Sequence, residues 1–142
     1  MECEFATVNS NQEQMREIFE NTKTIAVIGC SPDESKASNR VANYLKNAGF
    51  TIIPVYPKGD EILGEKVYRS LKEIPGKVDM VDIFRKPEVI GQVVDAAIER
   101  GDIDCVWTQL GLVNNEAAQK AVDAGMKVVQ NHCTKIEHAA LF

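Results

Sequence analysis

Short apolar runs alternate with amphipathic segments along most of this chain. Five of the runs are rich in apolar and β-branched residues, which is typical of strands buried on both faces of a parallel sheet. These predicted strands cover residues 25–28, 51–55, 80–84, 103–107 and 127–129. Because apolar residues at helical spacing fill the intervals, the pattern predicts a β-α repeat.

Capping and stop signals place the helices around these strands. The predicted helices cover residues 11–21, about 38–48, 87–100 and 114–124, with a single helical turn at 71–74. Ser10 to Glu13 fits a capping box at the start of the first helix. Residues 60–68 are expected to be irregular or extended, and a short tail is expected after the last strand.

The alternation predicts an α/β fold, a Rossmann-like three-layer domain with a five-stranded parallel sheet and right-handed crossovers. The expected strand order, numbered along the chain, is 3-2-1-4-5, which is half of a dinucleotide-binding fold. We expect residues 24–142 to form this domain and residues 1–23 to form an N-terminal helical extension packed on it. Ligands of such sheets bind at the carboxyl ends of the strands, near a switch point that this order places between strands one and four.

The loop after the first strand has the composition of a phosphate-binding loop. Gly29 permits a tight turn, although Ser31 and Glu34 replace the other two glycines of the dinucleotide fingerprint. Backbone N–H groups at the start of the next helix would hold a pyrophosphate there. The candidate residues are Gly29, Cys30, Ser31, Ser38, Asn39 and Arg40. For Arg40, an ordinary surface arginine is an equally good interpretation.

The loop after the second strand carries a cation where an NAD site would carry an acid. Pro57 and Lys58 follow the strand closely, whereas an acidic residue there would bind the ribose hydroxyls of NAD. A lysine suits a nucleotide with an additional ribose phosphate. Coenzyme A and NADP both have one, so these residues leave the choice between the two cofactors open.

Two further loops offer groups for the rest of a ligand. Phe84, Arg85 and Pro87 follow the third strand, where the ring and the proline would form a wall for an adenine and Arg85 would lie near a phosphate. Cations at the start of a helix are disfavoured by the helix dipole, so their presence there indicates that they balance the charge of a bound anion. After the fourth strand, Gln109 can hydrogen-bond a ligand and Gly111 can allow close approach.

The cysteines suggest a redox alternative but no catalytic centre. Cys30 and Cys133 lie at the ligand edge and would face a cofactor thiol, although a small buried hydrophobe is the simpler interpretation of both. His132 and Cys133 are neighbours on an extended chain and point to opposite faces, so we do not expect a nucleophile pair. No spacing indicates a metal site.

The composition of the chain limits the kinds of molecule that it is expected to bind. The 142 residues carry a formal net charge of −5, which makes nucleic acid a poor partner. No run approaches the roughly 18 apolar residues of a membrane span, and no signal peptide is visible. The spacing of the four cysteines fits reduced thiols, so the expected location is cytoplasmic. A protein partner or a homo-oligomer is left open.

Taken together, the motifs resemble those of the small CoA-binding proteins, which are single domains similar to the N-terminal CoA-binding domain of the succinyl-CoA synthetase α subunit. The resemblance runs through almost the whole chain from residue 24 and is carried by residues 25–31, 54–58, 62–64, 79–87, 106–111, 133 and 135–137. It implies a Rossmann-like domain that binds coenzyme A at the carboxyl edge of its sheet.

The resemblance also implies a role for most of the candidate residues. Residues 29–31 and Arg40 would meet the pyrophosphate, Pro57 and Lys58 would border the adenosine 3′-phosphate, Phe84, Arg85 and Pro87 would line the adenine side, and Gln109 and Gly111 would lie toward the pantetheine. The leading hypothesis is a CoA or acyl-CoA binding protein without chemistry of its own. An NADP-binding oxidoreductase, a redox sensor and a subunit of a synthetase-like complex are the alternatives.

Overall fold

The computed structural model describes residues 5–142, so Cys3 and the first four residues of the predicted extension lie outside it. The helices are α1 (Gln12–Glu20), α2 (Ala37–Asn47), α3 (Pro87–Arg100), α4 (Asn115–Asp123) and α5 (Thr134–Leu141). The strands are β1 (Thr24–Ile28), β2 (Thr51–Val55), β3 (Glu61–Ile62), β4 (Glu65–Lys66), β5 (Met80–Ile83), β6 (Cys105–Thr108) and β7 (Lys127–Val129). A 3₁₀ turn covers Leu71–Glu73.

Five strands form one parallel sheet with helices on both faces, which confirms the predicted three-layer α/β class. On one face, alternate strand residues such as Val27 and Trp107 pack with the apolar sides of α1 and α2. On the other face, Ala26 and Val81 pack with α3 and α4. Short strands of this kind have a period of two, so each supplies side chains to both layers of core.

The predicted strand order 3-2-1-4-5 is wrong. The order is β2-β1-β5-β6-β7, so the third long strand pairs with β1 on the side away from β2. Pro54 explains the difference, because a proline lacks an N–H and is confined to edge strands. Its carbonyl accepts from the Tyr68 N–H at 3.0 Å, on the outer side of the sheet. The switch point therefore lies between β1 and β5, which brings the loops after these two strands together.

Both ends of the chain differ from the prediction. The capping box of α1 uses Asn11 and Gln14, because the Ser10 hydroxyl donates to the Val128 carbonyl at 2.7 Å instead. The chain after β7 forms α5 rather than a short tail, and His138 of this helix packs edge-on against Phe19 of α1 at 5.2 Å between ring centroids. A helix this short depends on such packing, and its own sequence does not predict it. Among residues 5–142, no helix has the length and apolar character required to cross a membrane.

Candidate functional site

Two adjoining cavities open at the carboxyl edge of the sheet. Cavity one has a volume of about 440 Å³ and cavity two of about 410 Å³. Ala37, Phe84 and Arg85 line both, so the two cavities form one groove that runs across the loops after β1 and β5. The strand order places the switch point under this groove, which is where open α/β sheets bind their ligands.

Cavity one is lined mostly by polar and cationic groups together with aromatic rings. Its lining residues are Gly29, Ser31, Lys36, Ala37, Ser38, Tyr56, Pro57, Phe84 and Arg85. The loop after β1 is held in shape by its own side chains: Ser31 N–H donates to Ser38 Oγ at 3.0 Å, and Asn39 Nδ2 donates to the Ser31 carbonyl at 2.9 Å. The site is therefore largely formed before any ligand enters.

Gly29 allows the two loops of the groove to touch. Its φ is +83°, and a Cβ at this position would lie 2.7 Å from the Phe84 carbonyl oxygen and 3.0 Å from Arg85 Cδ. The Phe84 N–H donates to the Ile28 carbonyl at 2.9 Å, which continues the β1–β5 pairing into the loops. Gly29 thus keeps Phe84 and Arg85 at the wall shared by both cavities.

Three helices begin at the groove without a side-chain cap. Lys36, Lys86 and Cys133 are the N-cap residues of α2, α3 and α5; all three line the groove, and none of their side chains accepts a hydrogen bond from the first turn. Asn11 and Asn114, which cap α1 and α4 and line neither cavity, both accept one. A lysine at an N-cap opposes the helix dipole, so positive charge and helix N–H groups face the space where an anion would bind.

Cavity two is mainly apolar. Its lining residues are Ala37, Val41, Phe84, Arg85, Lys86, Pro87, Gln109, Leu110, Leu112 and Cys133. Gln109 is the uncharged amide of this set and is itself only 5% exposed. Such a cavity suits a flexible, largely apolar arm that needs a small number of hydrogen bonds for orientation.

Comparison with known proteins identifies the family. Residues 23–139 match the family model described as a CoA binding domain. The chain belongs to the CoA-binding domain family. This membership confirms the resemblance noted in the sequence.

Three relatives place this CoA-binding domain among known proteins. YneT of Bacillus subtilis, an uncharacterized protein, is 40% identical over 92% of this chain and 96% of its own length. A hypothetical protein from Pyrococcus horikoshii OT3 superposes with a TM-score of 0.90, at 39% identity over 99% of each chain. The alpha subunit of ADP-forming acetate–CoA ligase II from Pyrococcus furiosus is 31% identical over 86% of this chain, which spans only 29% of that subunit.

The CoA-binding domain brings most of the predicted residues to the groove. Cavity one receives Gly29, Ser31, Ser38 and Pro57, cavity two receives Pro87, Gln109 and Cys133, and Phe84 and Arg85 belong to both. Cys133 is partly buried. Lys58 is exposed directly beyond Pro57 and lines neither cavity.

Four other predicted residues do not line the groove. Arg40 donates to the Ser35 carbonyl and, with Asn39, borders a separate concavity along α2. Gly111 is exposed, and its N–H donates to Asn131 Oδ1 at 2.7 Å. Cys30 is fully buried, and burial, reinforced by the nearby Asp82 carboxyl, raises the pKa of its thiol to about 12. Cys30 therefore remains a neutral thiol packed beneath the groove.

A buried polar network behind cavity two was missed in the sequence. Asp82 on β5 is 0% exposed. Its Oδ1 accepts from Gln109 Nε2 and its Oδ2 from Thr134 Oγ1 at 2.9 Å, while Gln109 Nε2 also donates to Thr134 Oγ1 at 3.1 Å. Burial raises the pKa of Asp82 to about 7. The available signal was an acid inside an otherwise apolar strand, since such residues are rarely buried without a partner.

Lys36 and Tyr56 were also missed as wall residues of cavity one. Their positions depend on how the loops after β1 and β2 fold over the edge of the sheet. Within residues 5–142, no cluster of three or more His, Cys, Asp or Glu side chains is arranged to hold a metal ion.

Proposed function

We propose that this chain binds coenzyme A or an acyl-CoA along the groove and catalyses no reaction on its own. The observation that carries the proposal is a pair of adjoining cavities, a cationic one and a mainly apolar one, which share a wall at Ala37, Phe84 and Arg85. Coenzyme A has the matching succession, an anionic nucleotide followed by a flexible arm that ends in a thiol. The nucleotide would occupy cavity one and the arm cavity two.

The pyrophosphate would bind at the start of α2. The backbone N–H groups of Ala37 and Ser38 have no hydrogen-bond acceptor among the described residues. The exposed side chains of Lys36 and Arg85 line the same cavity. Backbone donors at a helix start together with two cations form a suitable anion site in a chain whose net charge is negative.

The adenosine 3′-phosphate would lie against Lys58. This lysine is exposed, forms no hydrogen bond or ion pair with the described residues, and follows Pro57 at the rim of cavity one. Its ammonium group is therefore available to a ligand. An NADP 2′-phosphate would use the same cation, which makes NADP the competing ligand.

Calorimetric titration with CoA, dephospho-CoA, NADP and NAD tests the proposal. We expect micromolar binding of CoA that weakens about tenfold without the 3′-phosphate, which corresponds to roughly 1.4 kcal/mol. Lys58→Ala should weaken CoA binding by about the same factor and leave dephospho-CoA binding nearly unchanged, because only CoA carries the phosphate that the ammonium contacts.

Lys23→Ala is the matched control, since Lys23 is exposed and precedes β1 at the opposite edge of the sheet. It removes the same charge and should leave all four affinities unchanged. If Lys58→Ala lowers the affinities for CoA and dephospho-CoA equally, Lys58 does not contact the 3′-phosphate. A preference for NADP would identify a redox protein instead, and no binding of any of the four would refute a nucleotide site in the isolated chain.

A second candidate function is a subunit of a synthetase-like complex. The similarity to the acetate–CoA ligase alpha subunit favours it, because the matching region is less than a third of that subunit and the rest would have to come from a partner chain. Residues 24–142 would then form the CoA-binding domain and residues 1–23 an extension packed on it. Affinity purification from the native cells, followed by an assay for acyl-CoA formation, separates the two: activity in the purified complex supports the subunit, and a single inactive chain supports the binding protein.

A further inference from the structure

The buried network dictates which end of the Gln109 amide faces cavity two. An ionised carboxylate only accepts hydrogen bonds, so Asp82 requires the amide to present its Nε2 group. Both hydrogen bonds of the Gln109 side chain use Nε2. Among the described residues, no fully buried side-chain nitrogen or oxygen lacks a partner. Gln109 Oε1, which has no hydrogen-bond partner in residues 5–142, is therefore open to the cavity that Gln109 lines.

We propose that Asp82 orients the Gln109 amide so that Oε1 is a fixed acceptor for an amide N–H of the ligand's arm. This inference rests on the proposed function and names what cavity two recognises: a linear arm with secondary amides, such as the pantetheine of CoA. In an apolar cavity an unpaired acceptor is costly, so Gln109 favours an arm with an N–H over a hydrocarbon or ester chain of the same length. Asp82 is a positioning residue, because it acts through Gln109.

Protonation of Asp82 would reverse the amide. When the proton is on Oδ1, the oxygen that faces Gln109, its O–H can donate only to Oε1, and the amide then turns its Nε2 toward the cavity. The acceptor is lost and the N–H of the arm meets another donor. Because burial raises the pKa of Asp82 to about 7, this change falls near neutral pH.

The groups around Asp82 do not obscure this titration. The titratable groups that face it are the thiols of Cys30, after β1, and Cys105, on β6, and burial raises the pKa of both so that they remain neutral. Helix α5 contributes the Thr134 hydroxyl. No charged side chain among the described residues is close enough to change the Asp82 pKa.

The test compares CoA with adenosine 3′,5′-bisphosphate, which keeps the 3′-phosphate but lacks the arm. Both affinities are measured calorimetrically, under reducing conditions, from about pH 5.5 to about pH 8. Relative to that of Gln109→Met, the wild-type affinity ratio of CoA to the bisphosphate should rise about tenfold over this range. The ratio cancels ionisations of the adenine and the 3′-phosphate, because both ligands carry them. The 5′-phosphate monoester of the bisphosphate titrates at about pH 6, whereas the pyrophosphate diester of CoA does not. Each ratio is therefore divided by that of Gln109→Met at the same pH, which is subject to the same ligand ionisations but lacks the acceptor.

Two variants separate positioning from a merely structural role. Asp82→Asn replaces one acceptor oxygen with an NH2 group that can donate to Gln109 Oε1, as the protonated acid can, so its ratio relative to that of Gln109→Met should stay at the low-pH value of the wild type throughout. Gln109→Met removes the acceptor at similar volume and should lower the ratio at high pH about tenfold without changing bisphosphate affinity. Asp95→Asn, on the exposed face of α3, is the control and should keep the wild-type pH profile.

A wild-type ratio that does not change with pH relative to that of Gln109→Met, or a Gln109→Met ratio equal to that of the wild type at every pH, would overturn the inference while CoA binding itself stands. Gln109→Met alone decides the role of the acceptor if Asp82→Asn does not fold. Wild-type protein that binds neither ligand would instead refute the proposed function.

Discussion

At Gly29, the absence of a side chain is what lets the groove form. The position combines a left-handed backbone with a close carbonyl oxygen, that of Phe84, which lies 2.7 Å from where a Cβ would be. Both the backbone strain and the contact oppose any other residue. The glycine is therefore required by the packing of the two loops, and any role in approaching a phosphate comes in addition.

We expect Gly29→Ala to lower the free energy of unfolding by roughly 2–4 kcal/mol, from strain plus a backbone clash. Gly101→Ala is the matched control, because its φ of +78° is similar and the space that a Cβ would occupy there is open, with nothing within 4 Å. The control should lose only about 1 kcal/mol. Urea denaturation of both variants measures the difference, and equal losses would show that the Phe84 contact relaxes at no cost.

At the scale of elements, the edge strand β7 is covered by the chain that precedes α1. Asn9 pairs with the backbone of Gln130 through both ends of its amide: Nδ2 donates to the Gln130 carbonyl at 3.0 Å, and Oδ1 accepts from its N–H at 2.9 Å. Ser10 adds the bond to Val128 described above. A covered edge offers fewer backbone groups to another strand, which protects the sheet from edge-to-edge association.

Asn9→Ala should therefore lower the free energy of unfolding by about 1–2 kcal/mol and expose the Gln130 amide to exchange. Hydrogen exchange followed by NMR, together with urea denaturation, measures both effects. Asn43→Ala, on the exposed side of α2, removes the same side chain without a hydrogen bond to lose and should be neutral or slightly stabilising. If the Gln130 amide is equally protected from hydrogen exchange in Asn9→Ala and in the wild type, Asn9 does not cover this edge of the sheet.

At the scale of the whole molecule, Asp82 gives stability an unusual pH dependence. Burial raises its pKa in the folded state to about 7, from an ordinary value of 3.8. Between these values the folded protein binds more protons than the unfolded chain, so the Asp82 contribution to stability falls as pH rises through this window. Asp79 and Asp102, whose pKa values are lowered by hydrogen bonds and neighbouring cations, act in the opposite direction.

Comparison of the wild type with Asp82→Asn isolates this contribution, because Asp79 and Asp102 are present in both proteins. We expect the stability of the variant relative to the wild type to increase from about pH 4 to about pH 7, by on the order of 1 kcal/mol per pH unit at most. Fluorescence of Trp107, the one tryptophan of the chain, reports unfolding in urea at each pH. A stability difference that stays constant over this range would mean that Asp82 titrates at its ordinary pKa.

The sequence predicted the elements of the fold better than their arrangement. The β-α alternation and the five sheet strands depend on local periodicity, which can be read from neighbouring residues. The strand order was predicted wrongly, although Pro54 carried the relevant signal. Helix α5 was missed because its stability comes from contacts with α1.

For the site, the sequence determined by itself which loops meet at the carboxyl edge, because every parallel strand of a β-α repeat ends on the same side. Only the tertiary structure decided which side chains of those loops enter the groove: Lys36 and Tyr56 do, whereas Arg40 turns to Ser35. It also joined Asp82 to Thr134, 52 residues further along the chain. Such contacts depend on the packing of distant elements, and no local pattern of polar and apolar residues encodes them.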